Sequence, residues 1–147
     1  MKKLSYKVDK CTGCRSCEIA CAVAHSASGE LFKALKEETV SLPRKRVFLA
    51  GGRNYPVSCR NCSDPKCVDA CMAAALAFDA AKGVVAHDEK RCVGCWMCVM
   101  VCPYGAIRPN VKTKMPIRCD KCADKDEPGC VKACPTGAVI WQEEVQP

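Results

Sequence analysis

Apolar positions along the chain come in short runs, and none approaches the roughly 18 consecutive apolar residues that a membrane-spanning helix needs. Three stretches carry a readable pattern. Glu18 to Ala27 is free to run on as helix, because Ala22 rather than a proline follows Cys21. Gly29 to Glu38 (GELFKALKEE) mixes apolar and charged residues at helical spacing and predicts a short amphipathic helix. Val47-Phe48-Leu49 predicts a strand, with Gly51-Gly52 as the turn after it. Further on, the segment ending at Phe78, then Asp79 to Lys82, then Val84-Val85-Ala86-His87 predicts a short strand, a turn at Lys82-Gly83 and a second strand.

Composition changes the picture. Of 147 residues, 16 are cysteine, about 11%, a level at which cysteine itself signals a metal or disulfide scaffold. The apolar fraction is 49%; without the cysteines it falls to roughly 38%, thin for a chain held by a hydrophobic core alone. Charged and apolar residues are interspersed, which argues against long disorder. No Gly-rich phosphate loop and no Ser-His-Asp signature is present. Met1 to Lys10 has a basic pair, Lys2-Lys3, but no apolar run behind it. A secretory leader is therefore not expected, and the expected location is cytoplasmic. In a reducing compartment the thiols are metal ligands rather than disulfides.

Spacing narrows the metal. The cysteines form four quartets with none left over: Cys11, Cys14, Cys17, Cys21; Cys59, Cys62, Cys67, Cys71; Cys92, Cys95, Cys98, Cys102; and Cys119, Cys122, Cys130, Cys134. The first and third have the C-x2-C-x2-C-x3-C run of bacterial ferredoxins, and Pro103 follows the third. Three thiolates in one tight loop reach three irons of a cubane, while the thiolate one helical turn on points away and serves a neighbouring cluster. Structural zinc uses paired C-x2-C knuckles. The fourth quartet alone could pass for one, but all four share a terminal C-x3-C.

The segments after the quartets repeat. Cys102-Pro103-Tyr104-Gly105-Ala106-Ile107 matches Cys134-Pro135-Thr136-Gly137-Ala138-Val139, and Cys71-Met72-Ala73-Ala74-Ala75-Leu76 is a looser copy. Residues 59–107 thus read as one complete two-cluster ferredoxin unit, with the first and last quartets forming a second unit closed around it.

These four quartets, with the Cys59-Arg60-Asn61-Cys62-Ser63-Asp64-Pro65-Lys66-Cys67 loop and the widened fourth, resemble the four-cluster iron–sulfur subunits of the dimethyl sulfoxide reductase type. The resemblance spans about residues 5–140. With 13 residues after Cys134, the chain is most similar to compact cytosolic members. These include the iron–sulfur partner of CO dehydrogenase, that of hydrogenase-linked formate dehydrogenase, and the polyferredoxin subunit of tungsten aldehyde oxidoreductases. The resemblance implies an α+β, loop-rich fold of two bacterial-ferredoxin-like halves with short hairpins and helices, two clusters in each. One half is 1–28 plus 108–147, the other 55–107, and 29–54 is an insert that caps a cluster or docks a partner. The implied ligand sets are Cys11, Cys14, Cys17 and Cys134; Cys21, Cys119, Cys122 and Cys130; Cys59, Cys62, Cys67 and Cys102; and Cys71, Cys92, Cys95 and Cys98. With all sixteen present, four [4Fe–4S] clusters are expected.

Such a protein needs no catalytic residue. The expected role is a non-catalytic subunit relaying single electrons through its iron clusters. It would join a catalytic oxidoreductase (CO dehydrogenase, or a molybdenum- or tungsten-pterin aldehyde or formate oxidoreductase) to a second redox protein or soluble carrier. Self-stacking into longer cluster chains is compatible with this; nucleic-acid binding and direct membrane insertion are not expected. A free-standing polyferredoxin shuttle is the alternative, and a zinc-binding scaffold or nucleic-acid-binding protein the alternative of another class. Arg15, Arg60, Lys66 and Lys121 lie inside ligand loops and would raise cluster potentials. Val93, Trp96, Met97, Val99, Met100 and Val101 predict a drier site for the cluster on Cys71, Cys92, Cys95 and Cys98, and so a low potential. His25, His87 and the three tyrosines read as packing or surface residues, Arg44-Lys45-Arg46 as a solvated turn, and the insert as a cap. The net charge of +7 compensates cluster charge, since four oxidised clusters with their thiolates carry about −8.

Overall fold

The computed structural model describes residues 2–143. Four two-stranded antiparallel sheets and five helices make up a small mixed α/β fold of short hairpins joined by long loops. In chain order the elements are β1 (Lys2–Tyr6), α1 (Ser16–Ala24), α2 (Leu31–Ala34), β2 (Lys45–Ala50), β3 (Arg53–Ser58), α3 (Lys66–Asp69) and β4 (Leu76–Asp79). They continue with β5 (Val84–His87), α4 (Met97–Met100), β6 (Arg108–Asn110), β7 (Met115–Ile117), α5 (Gly129–Lys132) and β8 (Val139–Glu143). A 3-10 turn, Val8–Lys10, leads into the first quartet.

Three of the sheets are local hairpins: β2–β3, β4–β5 and β6–β7. The predicted Val47–Leu49 strand with its Gly51-Gly52 turn and the strand pair around Lys82-Gly83 are among them. The fourth sheet joins the two ends of the described chain. β1 pairs with β8 from Lys2 opposite Glu143 to Tyr6 opposite Val139, and α5 packs on α1. Gly129 opens α5 at this contact, where an added Cβ would stand 3.5 Å from the Ala20 carbonyl oxygen.

Helix α1, at nine residues, is the longest, and it ends at Ala24 instead of Ala27. The helices of the other three quartets are single turns of four residues. The expected Gly29–Glu38 helix shrinks to Leu31–Ala34. The physical reason is Glu37. Its carboxylate accepts the Ser28 N–H (2.9 Å) and hydroxyl (2.7 Å), turning the chain back on itself before the helix can extend.

Two small cores form, and cysteine is part of each. The first gathers Cys17, Val47, Cys130 and Val139, with Leu4, Tyr6, Cys11 and Cys134 against them. The second gathers Cys67, Leu76, Val85 and Ile107, with Phe78, Cys71, Cys98 and Cys102 against them. Apolar burial alone is a weak basis for the fold.

The insert divides in two. Pro43 to Val47 lies against the quartets, with Lys45 and Val47 buried. In the part before it, Phe32 is 73% and Leu35 66% exposed and only Ala34 of α2 is buried, since a four-residue helix cannot present a continuous apolar stripe.

Candidate iron–sulfur centres

The loops are built alike. In each C-x2-C the third residue is left-handed: Gly13 at φ 73°, Asn61 at 50°, Gly94 at 68° and Lys121 at 59°. Arg15 and Trp96, just after the second cysteine of quartets one and three, are left-handed as well. A left-handed residue in such a turn directs successive backbone N–H groups to one side, a concavity that suits anions. Glycine takes this conformation freely. The two non-glycine positions are held from elsewhere. Asn61 is buried, donates through Nδ2 to the Cys119 carbonyl (3.1 Å) and accepts the Val85 N–H at Oδ1 (3.0 Å). Lys121 is buried too, and its ammonium donates to the Gly83 carbonyl at 2.7 Å.

The repeat after quartets two, three and four is also a repeated hydrogen-bond pattern. Gly105 and Gly137, both left-handed, donate back to the Cys102 and Cys134 carbonyls at 3.2 and 3.3 Å. Ala74 takes the same conformation in the looser copy and donates to the Cys71 carbonyl at 2.9 Å. The chain then brings an N–H onto the thiol four residues back: Ala75 to Cys71 Sγ (3.3 Å) and Ala138 to Cys134 Sγ (3.2 Å). Cys21 cannot receive such a bond, because α1 continues through it. Its donor comes from the insert, the Arg44 N–H at 3.3 Å.

Thiols of quartets two and three converge on two cavities, and those of quartets one and four lie near one another. Cys59, Cys62, Cys67 and Cys102 line one cavity, with Val85 and Ile107. Cys71, Cys92, Cys95 and Cys98 line another, with Leu76, Trp96 and His87. Cys17 packs with Cys11 and Cys134, within electrostatic reach of both. Cys130 lies in reach of Cys21 and Cys122, and Cys119 in reach of Cys21 and Cys130. Cys14 and Cys95 are the exposed cysteines, each at the tip of its loop; Cys17, Cys21, Cys67, Cys119, Cys122 and Cys130 are buried. Burial pushes the Cys119 thiol up to about 12 and Cys130 to about 11, and raises Cys17, Cys59, Cys67 and Cys98 as well. Ligation by these groups therefore displaces protons.

Two buried cations decide whether this donor set fits an anionic cluster. Lys45 is 2% and Arg118 6% exposed. Among the described residues, Lys45 Nζ and one terminal nitrogen of Arg118 have no hydrogen-bond partner. Buried charge without a counter-ion is costly. Lys45 lies in reach of Cys17, Cys119 and Cys130, and Arg118 in reach of Cys59 and Cys67. Ligated thiolates and cluster sulfides are the counter-charge these positions call for. The donor set fits [4Fe–4S] clusters: thiolates, inward N–H groups and buried cations.

The family models match on these elements. A 4Fe-4S dicluster domain matches residues 53–144, through quartets two, three and four, and a 4Fe-4S binding domain matches residues 8–24 around the first. The chain belongs to the 4Fe-4S dicluster family. It carries [4Fe–4S] clusters and is an iron–sulfur electron-transfer protein. An "Iron-sulfur protein" of Rhodospirillum rubrum is 38% identical, the alignment covering 89% of this chain and 76% of the relative. "Electron transport protein HydN" of Escherichia coli (strain K12) is 37% identical, over 89% of this chain and 82% of the relative. Among solved structures, a chain of the benzoyl-coenzyme A reductase active-site complex BamBC with benzoyl-CoA superposes with a TM-score of 0.54. That match has 23% identity and covers 97% of this chain and 79% of that one, a likeness of fold.

Several side chains differ from the sequence reading of this dicluster protein. Of the four loop cations, only Lys121 is buried. Arg15 is exposed, Arg60 stacks on Tyr104 with its guanidinium 4.0 Å from the ring centroid, and Lys66 pairs with Asp64 at 2.9 Å in solvent. Lys45, read as part of a solvated turn, is instead buried, because β2 enters the first core at Val47. Arg118 passed unnoticed, although its place directly before Cys119 was a signal. The apolar wrapping expected around quartet three is divided: Val99 and Val101 pack on the second core and Trp96 and Met97 line the thiol cavity, while Val93 is 67% and Met100 79% exposed. His25 is more than packing. It lies between Cys21 Sγ (3.8 Å) and Cys122 Sγ (4.0 Å), with Nε2 3.1 Å from Asp120, which also pairs with Arg44. Burial would lower its pKa, but these partners outweigh that and raise it to about 12. No described helix is long and apolar enough to cross a membrane.

Proposed function

We propose that this chain is a non-catalytic subunit relaying single electrons between a catalytic oxidoreductase and a second redox protein or soluble carrier. Four [4Fe–4S] clusters would be held by Cys11, Cys14, Cys17 and Cys134; by Cys21, Cys119, Cys122 and Cys130; by Cys59, Cys62, Cys67 and Cys102; and by Cys71, Cys92, Cys95 and Cys98. The observation that carries this reading is the crossed lining of the two cavities in the second core. Cys102 joins three thiols of quartet two, and Cys71 joins three of quartet three. The pairing of β1 with β8 and of α1 with α5 supports the matching arrangement of quartets one and four, and with it two ferredoxin-like halves.

Each bound cluster supplies a one-electron couple. The protein's own groups do the rest. The left-handed turns aim N–H groups inward, the N–H donors on Cys21, Cys71 and Cys134 hold the sulfurs in place, and buried cations balance charge. The subfamily we favour is the compact one serving CO dehydrogenase, formate dehydrogenase or tungsten aldehyde oxidoreductases, in the cytoplasm. The electron-transport name of one relative and the iron–sulfur name of another support the general role of iron–sulfur electron transfer.

Anaerobic expression followed by iron, sulfide and EPR analysis tests the cluster assignment. About sixteen irons per chain are expected, and clearly fewer in fully reconstituted protein would overturn it. Gel filtration of the native extract tests the subunit role: the chain should elute with a larger oxidoreductase. Elution alone would favour a free shuttle.

A further inference from the structure

Pro43 to Val47 threads between quartets one and four. The Pro43 carbonyl accepts from Arg108, the Arg44 N–H donates to Cys21 Sγ, and the Val47 N–H donates to Glu18 (2.6 Å). Between Arg44 and Val47 stands Lys45, paired in register with Ser58, its ammonium 4.7 Å from the centre of the Tyr6 ring. The Tyr6 hydroxyl is itself bonded to Ser58, so the ring is held over the cation. The ammonium is within electrostatic reach of Cys17, Cys119 and Cys130, and Val47, two residues on in β2, packs in one core with Cys17 and Cys130. Those thiols belong to two different ligand sets in the functional reading above, on which this inference rests. A lone Lys at 2% exposure is stabilised only by negative charge close by. Ligated thiolates and cluster sulfides supply that charge when both sets are loaded.

We propose that Lys45 is a fixed cation shared by two neighbouring clusters, the one on Cys11, Cys14, Cys17 and Cys134 and the one on Cys21, Cys119, Cys122 and Cys130. One charge offsets the extra electron on either cluster. It raises both reduction potentials together, so each cluster takes up its electron at a higher potential than it would without the charge. Lys45 is thus a positioning residue for charge: it ligates nothing and acts through the field it places between two sites. The interior is poorly screened, so the effect persists at high salt.

The test is an EPR-monitored redox titration of the fully loaded protein, with iron content measured alongside. Wild type must first show four clusters; fewer would mean that the functional reading has failed, and the inference with it. In Lys45→Gln, two of the four potentials should move down and two should stay, while Lys45→Arg keeps all four near wild type. Four unmoved potentials in Lys45→Gln, or four moved equally, would overturn the proposal. So would Lys45→Arg behaving like Lys45→Gln, since bulk rather than charge would then be the determinant. If Lys45→Gln fails to load, loss of about half the iron there with full loading of Lys45→Arg supports the shared cation. Loss of iron in both variants, or of all the iron in Lys45→Gln, overturns it.

Discussion

Asn61 is bonded to Cys119 across 58 positions of sequence: its side-chain amide donates to the Cys119 carbonyl at 3.1 Å. The same amide accepts the Val85 N–H. One buried side chain therefore ties the loop of quartet two to quartet four and to β5, while its own backbone sits at φ 50°. Lys121 mirrors it, left-handed at the same loop position and reaching to Gly83.

Asn61→Ala leaves the Cys119 carbonyl and the Val85 N–H without this partner and keeps a Cβ in the left-handed region. A loss on the order of 3 kcal/mol is expected, from the usual penalty for stranding buried polar groups. Asn61→Gly relieves the backbone by about 1 kcal/mol and should lose correspondingly less. Anaerobic denaturant titration, following cluster absorbance, ranks the two; Ala equal to or better than Gly would contradict this account.

Gly94 and Gly105 are both left-handed, at φ 68° and 55°, but their surroundings differ. A Cβ on Gly94 would stand 2.7 Å from the Lys114 carbonyl oxygen, a backbone atom of the β6–β7 turn, while nothing lies within 4 Å of one on Gly105. Gly94→Ala should therefore lose one cluster, about a quarter of the iron. Gly105→Ala should keep all four clusters at a cost of about 1 kcal/mol. Iron-to-protein ratios after identical reconstitution check this, and equal loading of both variants would contradict it.

Cys14 and Cys95 stand in solvent at their loop tips, whereas all four cysteines of the Cys21, Cys119, Cys122 and Cys130 set are buried. Oxidants reach exposed ligands first. Brief exposure to air should degrade the clusters bearing Cys14 and Cys95 before that buried set. Time-resolved EPR should show a [3Fe–4S] product equivalent to at most about half the clusters at the point where loss first slows. Uniform loss of all four would rule this ordering out.

Removing the metal should unfold the chain. The cores are small and partly made of thiols, so ligation supplies much of the folding free energy. Chelation under reducing conditions is expected to abolish the far-ultraviolet circular dichroism of the hairpins and to collapse the dispersion of the amide NMR spectrum. A well-dispersed apo spectrum would contradict it. Reloading at weakly buffered pH 7 should acidify the solution, because the free thiols of the apo chain are protonated at neutral pH and give up protons on ligation.

Quartet spacing, the repeat after the C-x3-C of quartets two, three and four, and two of the three local hairpins are legible in the sequence, because each depends on residues a few positions apart. Gly13 and Gly94 announce left-handed turns by having no side chain. The same conformation at Asn61 and Lys121 could not be read, because it is held by hydrogen bonds to Cys119, Val85 and Gly83, far away in the chain. The absence of proline after Cys21 showed that α1 could continue, but not that Arg44 would supply the missing N–H. An Arg-Lys-Arg run looks solvated by composition, and only the packing of β2 into the first core turns Lys45 inward. Ligand chemistry was thus a matter of local spacing. Which charges stand beside the ligands was decided by tertiary structure, since burial depends on everything packed around a residue and not on its neighbours in sequence.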